Sequence, residues 1–221
     1  MLGIDIFNLA LLQLQIFLLE FIRISSIFLT APIIGSRNIP LVVKISFAFI
    51  LTLLIYPVFT KNYNLPVDLL SYSILIFKQI LVGIIIGFLS YLVFIAIQLA
   101  GQIIDLQMGF GIVNVIDPLS NTQVSIIGQF QFILGVLIFL ALDGHHFLFK
   151  AIVDSFNLVP LTSVTLSEIT ISKISFMFFN MFVIAFKIAG PATLALFLTN
   201  VTLGFIARTI PQIMFLLLDY L

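Results

Sequence analysis

The feature that most constrains this chain is a stretch of 26 consecutive residues without Asp, Glu, Lys or Arg, between Lys78 and Asp105. As one helix it would rise roughly 39 Å, which exceeds the ~30 Å of bilayer hydrocarbon. Residues 118–142 and 188–207 form two further uncharged stretches. Because backbone groups in lipid must be satisfied within their own segment, helix is the expected state of all three. A barrel would show short alternating strands, and these stretches are continuous.

The composition leads to the same class. Of 221 residues, 62% are hydrophobic and 8% are charged, whereas soluble domains average roughly 25% charged residues. So few charges cannot cover a water-soluble surface, and lipid or other subunits must solvate much of the chain. Shorter apolar runs at Ile6–Leu19, Ile45–Phe59 and Ile174–Phe186 bring the prediction to an all-α, membrane-type bundle of about five to seven helices in one domain.

Charge and cysteine content exclude several functions. The formal net charge is zero, so no basic field would attract nucleic acid. The absence of cysteine excludes disulfides, thiolate metal sites and cysteine nucleophiles. The first 22 residues contain no Lys or Arg. A secretory signal begins with a basic region, so we interpret the N-terminus as a retained membrane segment.

Polar and helix-breaking residues divide the apolar runs. We predict links at residues 32–40, 57–66 and 109–121, a turn at 143–146, and a longer Ser- and Thr-rich link at 157–172. Within the apolar runs, Gly101 and the pair Gly190-Pro191 predict kinks. Proline removes a helical donor and clashes with the preceding turn, so a bend or break is expected near Gly190-Pro191.

Four charged residues interrupt apolar sequence and are candidate buried-charge or interface sites. Glu20 and Arg23 lie three residues apart, so they share a helix face and can pair. The alternatives are a polar pathway, or an internal ion pair that lowers the cost of burial, which we favour. Lys78 and Lys187 have no obvious local partner. Each extends its ammonium group to the headgroups or pairs with a neighbouring subunit.

Two short motifs permit a structural or a functional interpretation. Gly83 and Gly87 form a G-x-x-x-G motif, which allows close helix packing and is common in apolar helices. Asp143, His145 and His146 suggest a metal or catalytic site. Adjacent histidines are expected to point apart on a helix, whereas helical zinc sites place their histidines four apart. We therefore favour a helix-terminating turn.

The segment from Gly101 to Phe130 differs from the rest of the chain. It combines glycine mobility at Gly109 and Gly111 with bulky apolar residues, which are Phe110, Ile112, Val113, Val115 and Ile116. A flexible apolar loop between helices can seal a pore and remain displaceable. A plain connecting loop is an equally good interpretation of composition alone.

Four stretches, in order along the chain, resemble the FliR family of flagellar type III export-gate subunits. They are APIIGSRNIPLVVKI at Ala31–Ile45, GQIIDLQMGFGIVNVIDP at Gly101–Pro118, FLALDGHHFLFKAIVDSFNLVP at Phe139–Pro160 and GPATLALFLTNVTLGFIARTIPQ at Gly190–Gln212. The Leu-Asp-Gly-His-His sequence looks flagellar; the alternative within the family is a subunit of a virulence injectisome. Family members usually continue with a further apolar hairpin, which this sequence lacks.

The resemblance implies a bundle of kinked helical hairpins that completes a channel with FliP-like and FliQ-like subunits, beside FlhB-like and FlhA-like export components. Unfolded flagellar substrate proteins would pass through it. The assembly would lie in the inner membrane at the flagellar basal body, partly above the bilayer plane. No cofactor is implied. The implied channel plug comprises Gly109, Phe110, Gly111, Ile112, Val113, Val115, Ile116, Asp117 and Pro118, and we expect Asp117 to cap the following helix.

Two other classes of function compete with an export gate. A small-molecule transporter would show inverted repeats or broken helices at matching positions of its two halves, and the sequence contains no such repeat. An intramembrane enzyme would have to use Asp143, His145 and His146. Replacing both histidines with Ala would separate these classes, because an enzyme would lose activity and a gate would still assemble.

Overall fold

The computed structural model describes residues 2–36, 38–59, 65–66, 68–110, 125–164 and 167–209. Within these ranges every element of regular secondary structure is a helix. The helices are α1 (Leu2–Thr30), α2 (Leu41–Phe59), α3 (Leu69–Met108), α4 (Ile126–Ala141), α5 (Gly144–Leu158) and α6 (Glu168–Thr209). The predicted all-α class and helix number are confirmed.

Three boundaries differ from the sequence prediction. The link predicted at residues 157–172 is shorter, because α5 ends at Leu158 and α6 begins at Glu168. Pro57 lies inside α2 rather than in the link after it, and the helix ends two residues later, at Phe59. The apolar runs on the two sides of Lys187 belong to the single helix α6, of 42 residues. Lys187 is exposed on that helix, and an exposed lysine does not end a helix.

Contacts divide the chain into two compact units, each built from parts of several helices. Unit 1 comprises Met1–Val93 and Val136–Phe178, and unit 2 comprises Phe94–Gly135 and Phe179–Leu221. The prediction of a single domain stays a prediction.

The core of unit 1 forms around one face of α1. Its buried members recur at helical spacing on α1 and meet residues of α2, α3, α5 and the segment after α5. They are Ile16, Leu19, Ile24, Ile27, Phe28, Ala31, Ala48, Ile55, Leu75, Ile152, Phe156 and Leu161. Aromatic contacts extend this core, since Phe28 stacks on Phe47 with ring centroids 5.3 Å apart. The core positions the charged residues of α1.

Close contact between α1 and α3 depends on Gly83 and Gly87. A Cβ atom at Gly83 would lie 2.6 Å from the Cβ of Ser26 and 2.7 Å from the carbonyl oxygen of Arg23, and one at Gly87 would meet the side chain of Thr30. The predicted helix-packing role of this G-x-x-x-G motif is confirmed.

Unit 2 has a smaller core, in which Ala100 and Ile104 of α3 pack against Ala189 of α6.

Most of α6 presents large apolar side chains outward. Its phenylalanines that are more than half exposed are Phe176, Phe179, Phe186, Phe197 and Phe205. A monomeric soluble protein rarely exposes an apolar surface of this size.

Four of the described helices are long and apolar enough to cross a membrane, and the bent pair α4 and α5 would make a fifth candidate. The bend between α4 and α5 measures 74° and lies at the predicted turn, where Asp143 has a positive φ of 55°. α3 continues as one helix through Gly101, and the kink predicted there stays a prediction.

Of the bend or break predicted at Gly190-Pro191, the break is wrong, because α6 continues through both residues; the bend stays a prediction. The Cβ of the residue before a proline normally clashes with the proline ring in helical geometry. Gly190 has no Cβ, so this clash is absent. The carbonyl that loses its helical donor at Pro191 is that of Lys187, four residues earlier.

Candidate functional site

A buried polar cluster in unit 1 has Arg23 at its centre. Its Nε donates to Oε1 of Gln79 at 2.7 Å, and its Nη1 donates to the carbonyl oxygens of Ser155 at 3.1 Å and Val159 at 2.9 Å. Nε2 of Gln79 donates in turn to the carbonyl oxygen of Leu161 at 2.7 Å. Arg23 thereby connects α1 with α3, with the end of α5 and with the segment that follows.

The position of Arg23 matches the electrostatics of the α5 terminus. The last carbonyls of a helix have no partner within it, and the C-terminal end of the helix dipole attracts a cation. α5 has no basic residue in its own last turn, so α1 provides one. The Arg23 guanidinium also lies 4.7 Å from the ring centroid of Phe156, which adds a cation–π contact.

Glu20 is buried beside this cluster without a hydrogen bond. It and Arg23 are both fully buried, as expected for residues on the same helix face. The two Glu20 carboxylate oxygens accept no hydrogen bond from any described residue, although Arg23 lies within electrostatic range. The predicted pair therefore lies on one helix face and interacts electrostatically, but the two side chains are not hydrogen-bonded to each other.

A second buried cation, Lys44 on α2, holds the link between α1 and α2. Its Nζ donates to the carbonyl oxygens of Gly35 at 3.0 Å and Ser36 at 2.9 Å. The sequence alone did not identify this role of Lys44. The available signal was the short distance in sequence between Lys44 and a link rich in unpaired carbonyls.

Asp105 and Ser125 flank the predicted plug in the sequence, and both hydrogen-bond to the start of α4. The Asp105 carboxylate, which is buried, accepts a hydrogen bond from the backbone N–H of Ile127 in the first turn of α4, at 3.3 and 3.4 Å to its two oxygens. The hydroxyl of Ser125 accepts from the N–H of Gly128 at 2.8 Å, which is a helix N-cap. Asp117, predicted to cap this helix, lies outside the described residues.

Glycine contacts bring α3 and α4 together at the same place. A Cβ atom at Gly101 would meet the backbone of Gly128 and would lie 2.8 Å from the carbonyl carbon of Ile127. The end of α3 and the start of α4, which flank the predicted plug in the sequence, are therefore closely packed.

Only the first two residues of the predicted plug lie in the described ranges. Gly109 ends α3 with a φ of 82°, a conformation that favours glycine, and Phe110 exposes 41% of its surface. The others lie outside the described residues; they are Gly111, Ile112, Val113, Val115, Ile116, Asp117 and Pro118.

The two interrupting lysines occupy different surroundings. Lys78 lines an open pocket of about 310 Å³ together with Pro66, Ser71 and Thr162, and Lys187 is exposed on α6. The interface role of both lysines stays a prediction.

The turn at residues 143–146 has the predicted structure, with one difference. The N–H of His146 donates to the carbonyl oxygen of Asp143 at 2.9 Å, which closes the turn before α5 continues. The expectation that the adjacent histidines point apart is wrong, because their ring centroids lie 4.3 Å apart.

Helices of this length and apolarity define the chain as an α-helical membrane protein with an internal polar cluster. The sequence profile of the family described as bacterial export proteins, family 1, matches residues 14–219. The chain therefore belongs to that family, and the predicted resemblance is confirmed.

Individual relatives agree with this assignment. The flagellar biosynthetic protein FliR of Bacillus subtilis (strain 168) is 40% identical over 201 residues, which cover 89% of this chain and 77% of that protein. FliR of Escherichia coli (strain K12) is 30% identical over 200 residues, which cover 90% and 76% of the two chains. FliR of Aquifex aeolicus (strain VF5) is 30% identical over 198 residues, covering 88% and 75%.

Proposed function

We propose that this chain is a subunit of the flagellar type III export gate in the bacterial inner membrane. With FliP-like and FliQ-like subunits it forms a channel for unfolded flagellar proteins, beside FlhB-like and FlhA-like components. The observation that carries the proposal is the 40% identity to the Bacillus subtilis FliR over 89% of the chain. We propose no catalytic role.

The lengths of two helices support a subunit that is partly outside the bilayer. α3 has 40 residues and α6 has 42, which correspond to roughly 60 Å each, twice the ~30 Å of bilayer hydrocarbon. If a helix of that length crosses the bilayer once and straight, lipid covers only about half of its apolar surface. Other subunits would cover the remainder, which fits an assembly raised above the membrane plane.

Copurification tests the proposal. The full chain with a peptide affinity tag is expressed from its own operon in a flagellated bacterium, extracted in mild detergent and captured. Mass spectrometry should find FliP-like and FliQ-like proteins in the purified complex. Capture of injectisome subunits in their place would support the injectisome alternative, and capture of neither set would contradict an export gate.

Expression without those partners should yield an unstable protein. The exposed phenylalanines of α6 need a protein surface along the part of the helix that lipid cannot cover. We expect aggregation or degradation within one growth cycle, measured as membrane-bound chain by immunoblot and as monodispersity by size exclusion. Coexpression with the partners is the control. A long-lived, monodisperse monomer in detergent would contradict the prediction.

We further propose that the loop at residues 109–121 closes the channel. The contacts at Asp105 and Ser125, with the packing of Gly101 on Gly128, give the loop a fixed base. Glycines at its start and bulky apolar residues along it suit a closure that excludes water and can still be displaced.

Deleting residues 112–116 should leave assembly intact and make the membrane leaky, because the apolar material of the closure would be gone. The measurement is ion conductance across a bilayer containing the purified complex. If the assembled deletion variant conducts no more than the wild type, the loop is only a connector.

The reverse change tests the same loop. Substituting Gly109 and Gly111 with Val should stiffen the closure and slow export, measured as flagellar protein secreted into the medium. A Val at Gly109 must also adopt a φ of 82°, which β-branched residues avoid. Gly204→Ala is the matched control, because a Cβ there has no neighbour within 4 Å. Unchanged export in the double variant would argue against closure by this loop.

A further inference from the structure

We infer that Asp143, His145 and His146 form a binding site for a divalent transition-metal ion of the zinc, cobalt or nickel type. Each residue offers one ligand atom, and these three atoms all lie within 4.8 Å of one another. Nothing in the export-gate proposal requires this site, and the inference stands independently of it.

The two histidine rings lie close together at the start of α5. Asp143 is left-handed, with a φ of 55°, and α5 begins at the next residue. His145 and His146 therefore lie in the first helical turn, next to a reversal of the chain. Their rings are tilted by 36° with centroids 4.3 Å apart. The two side chains lean towards each other although consecutive positions of a helix project about 100° apart.

The turn is held in place by its contact with α4. A Cβ atom at Gly144 would meet the ring of Phe139, so only glycine allows α5 to begin this close to α4. Gly144 is buried, whereas Asp143 and His146 are exposed and His145 is half-buried. The turn is thus packed against α4 on one side and presents Asp143 and His146 to the surface on the other.

Two ligand atoms lack another role among the described residues. The Asp143 side chain makes no capping hydrogen bond to α5, and the Nδ1 atom of His145 is buried without a hydrogen-bond partner. A buried ring nitrogen without a hydrogen-bond partner is costly. A metal ion coordinated by this nitrogen would take the place of the missing partner. The N-terminal end of α5 disfavours a cation, and the Asp143 carboxylate opposes that effect.

The ligand chemistry indicates the class of ion. Imidazole nitrogens suit zinc, nickel, cobalt and iron, and two histidines with one carboxylate leave further positions for water. Ligands about 2.0–2.2 Å from one ion lie roughly 3 Å apart, so small side-chain rotations bring these atoms within bonding distance. A bound ion would connect the residue before α5 to its first turn and brace the bend between α4 and α5.

The chain is well suited to a test, since it contains two histidines and no cysteine. The full chain is purified with its copurifying partners through a tag that contains no histidine, stripped with a chelator, dialysed and titrated with Co²⁺. Bound cobalt is measured by visible absorption and by atomic emission. We expect about one Co²⁺ per chain above any bound by the partners, displaced by Zn²⁺.

Two substitutions of exposed ligands identify the site. His146→Gln and Asp143→Asn should each weaken Co²⁺ binding at least ~10-fold, without removing buried packing. Asp154→Asn, on the same helix α5, is the matched control and should bind like the wild type. Equal uptake by the wild type and both site variants, or no specific uptake by the wild type, would overturn the inference.

Discussion

Arg23→Met should lower the stability of the folded chain by at least about 1.5–3 kcal/mol, the usual contribution of one hydrogen bond from a charged group. Arg23 is fully buried and donates to Gln79, Ser155 and Val159. Methionine fills a similar volume but cannot donate, so the end of α5 would keep buried carbonyls without this partner. The measurement is the thermal aggregation midpoint of the detergent-solubilised complex, with limited proteolysis as a second readout.

Two matched variants separate the contributions at this cluster. Arg23→Lys keeps the charge but not the planar fork that reaches three acceptors, and it should have an intermediate effect. Glu20→Gln should be tolerated, because the Glu20 oxygens accept no hydrogen bond from described residues and a buried charge is removed. If Glu20→Gln destabilises the chain as much as Arg23→Met, the stabilisation comes from the ion pair rather than from the links to α3 and α5.

Gly101→Val should have the second large effect, a loss of about 3 kcal/mol, at the upper end of typical overpacking costs. The added side chain would meet the backbone of Gly128 and of Ile127, at 2.8 Å from the Ile127 carbonyl carbon. Backbone cannot rotate away as a side chain can, so α3 and α4 would have to separate. That separation would also break the hydrogen bond from Ile127 to Asp105.

The same thermal and proteolytic measurements apply to Gly101→Val, and cleavage should concentrate between α3 and α4. Gly204→Ala is the control within a helix and should stabilise it by roughly 0.5–1 kcal/mol through reduced backbone freedom, because no atom lies within 4 Å of the added Cβ. Equal effects of the two substitutions would show that the contact of α3 with α4 does not limit stability.

The family and the helical class could be predicted because both depend on local sequence. Long uncharged runs indicate helix wherever lipid or protein replaces water, and the motif at residues 139–160 belongs to a profile that matches most of the chain. The shared face of Glu20 and Arg23 also follows from spacing alone, since residues three apart meet on any α-helix.

Tertiary structure alone decided which partners those residues have. The acceptors of Arg23 lie 56, 132 and 136 residues away in sequence, and helical periodicity gives no information about contacts at that distance. The 4.3 Å separation of the His145 and His146 rings and the unbroken course of α6 through Pro191 were likewise visible only in the structure. Sequence determined where helices form, because that depends on neighbours within a few turns. Packing determined how buried charges are satisfied, because that depends on carbonyls supplied by distant helices.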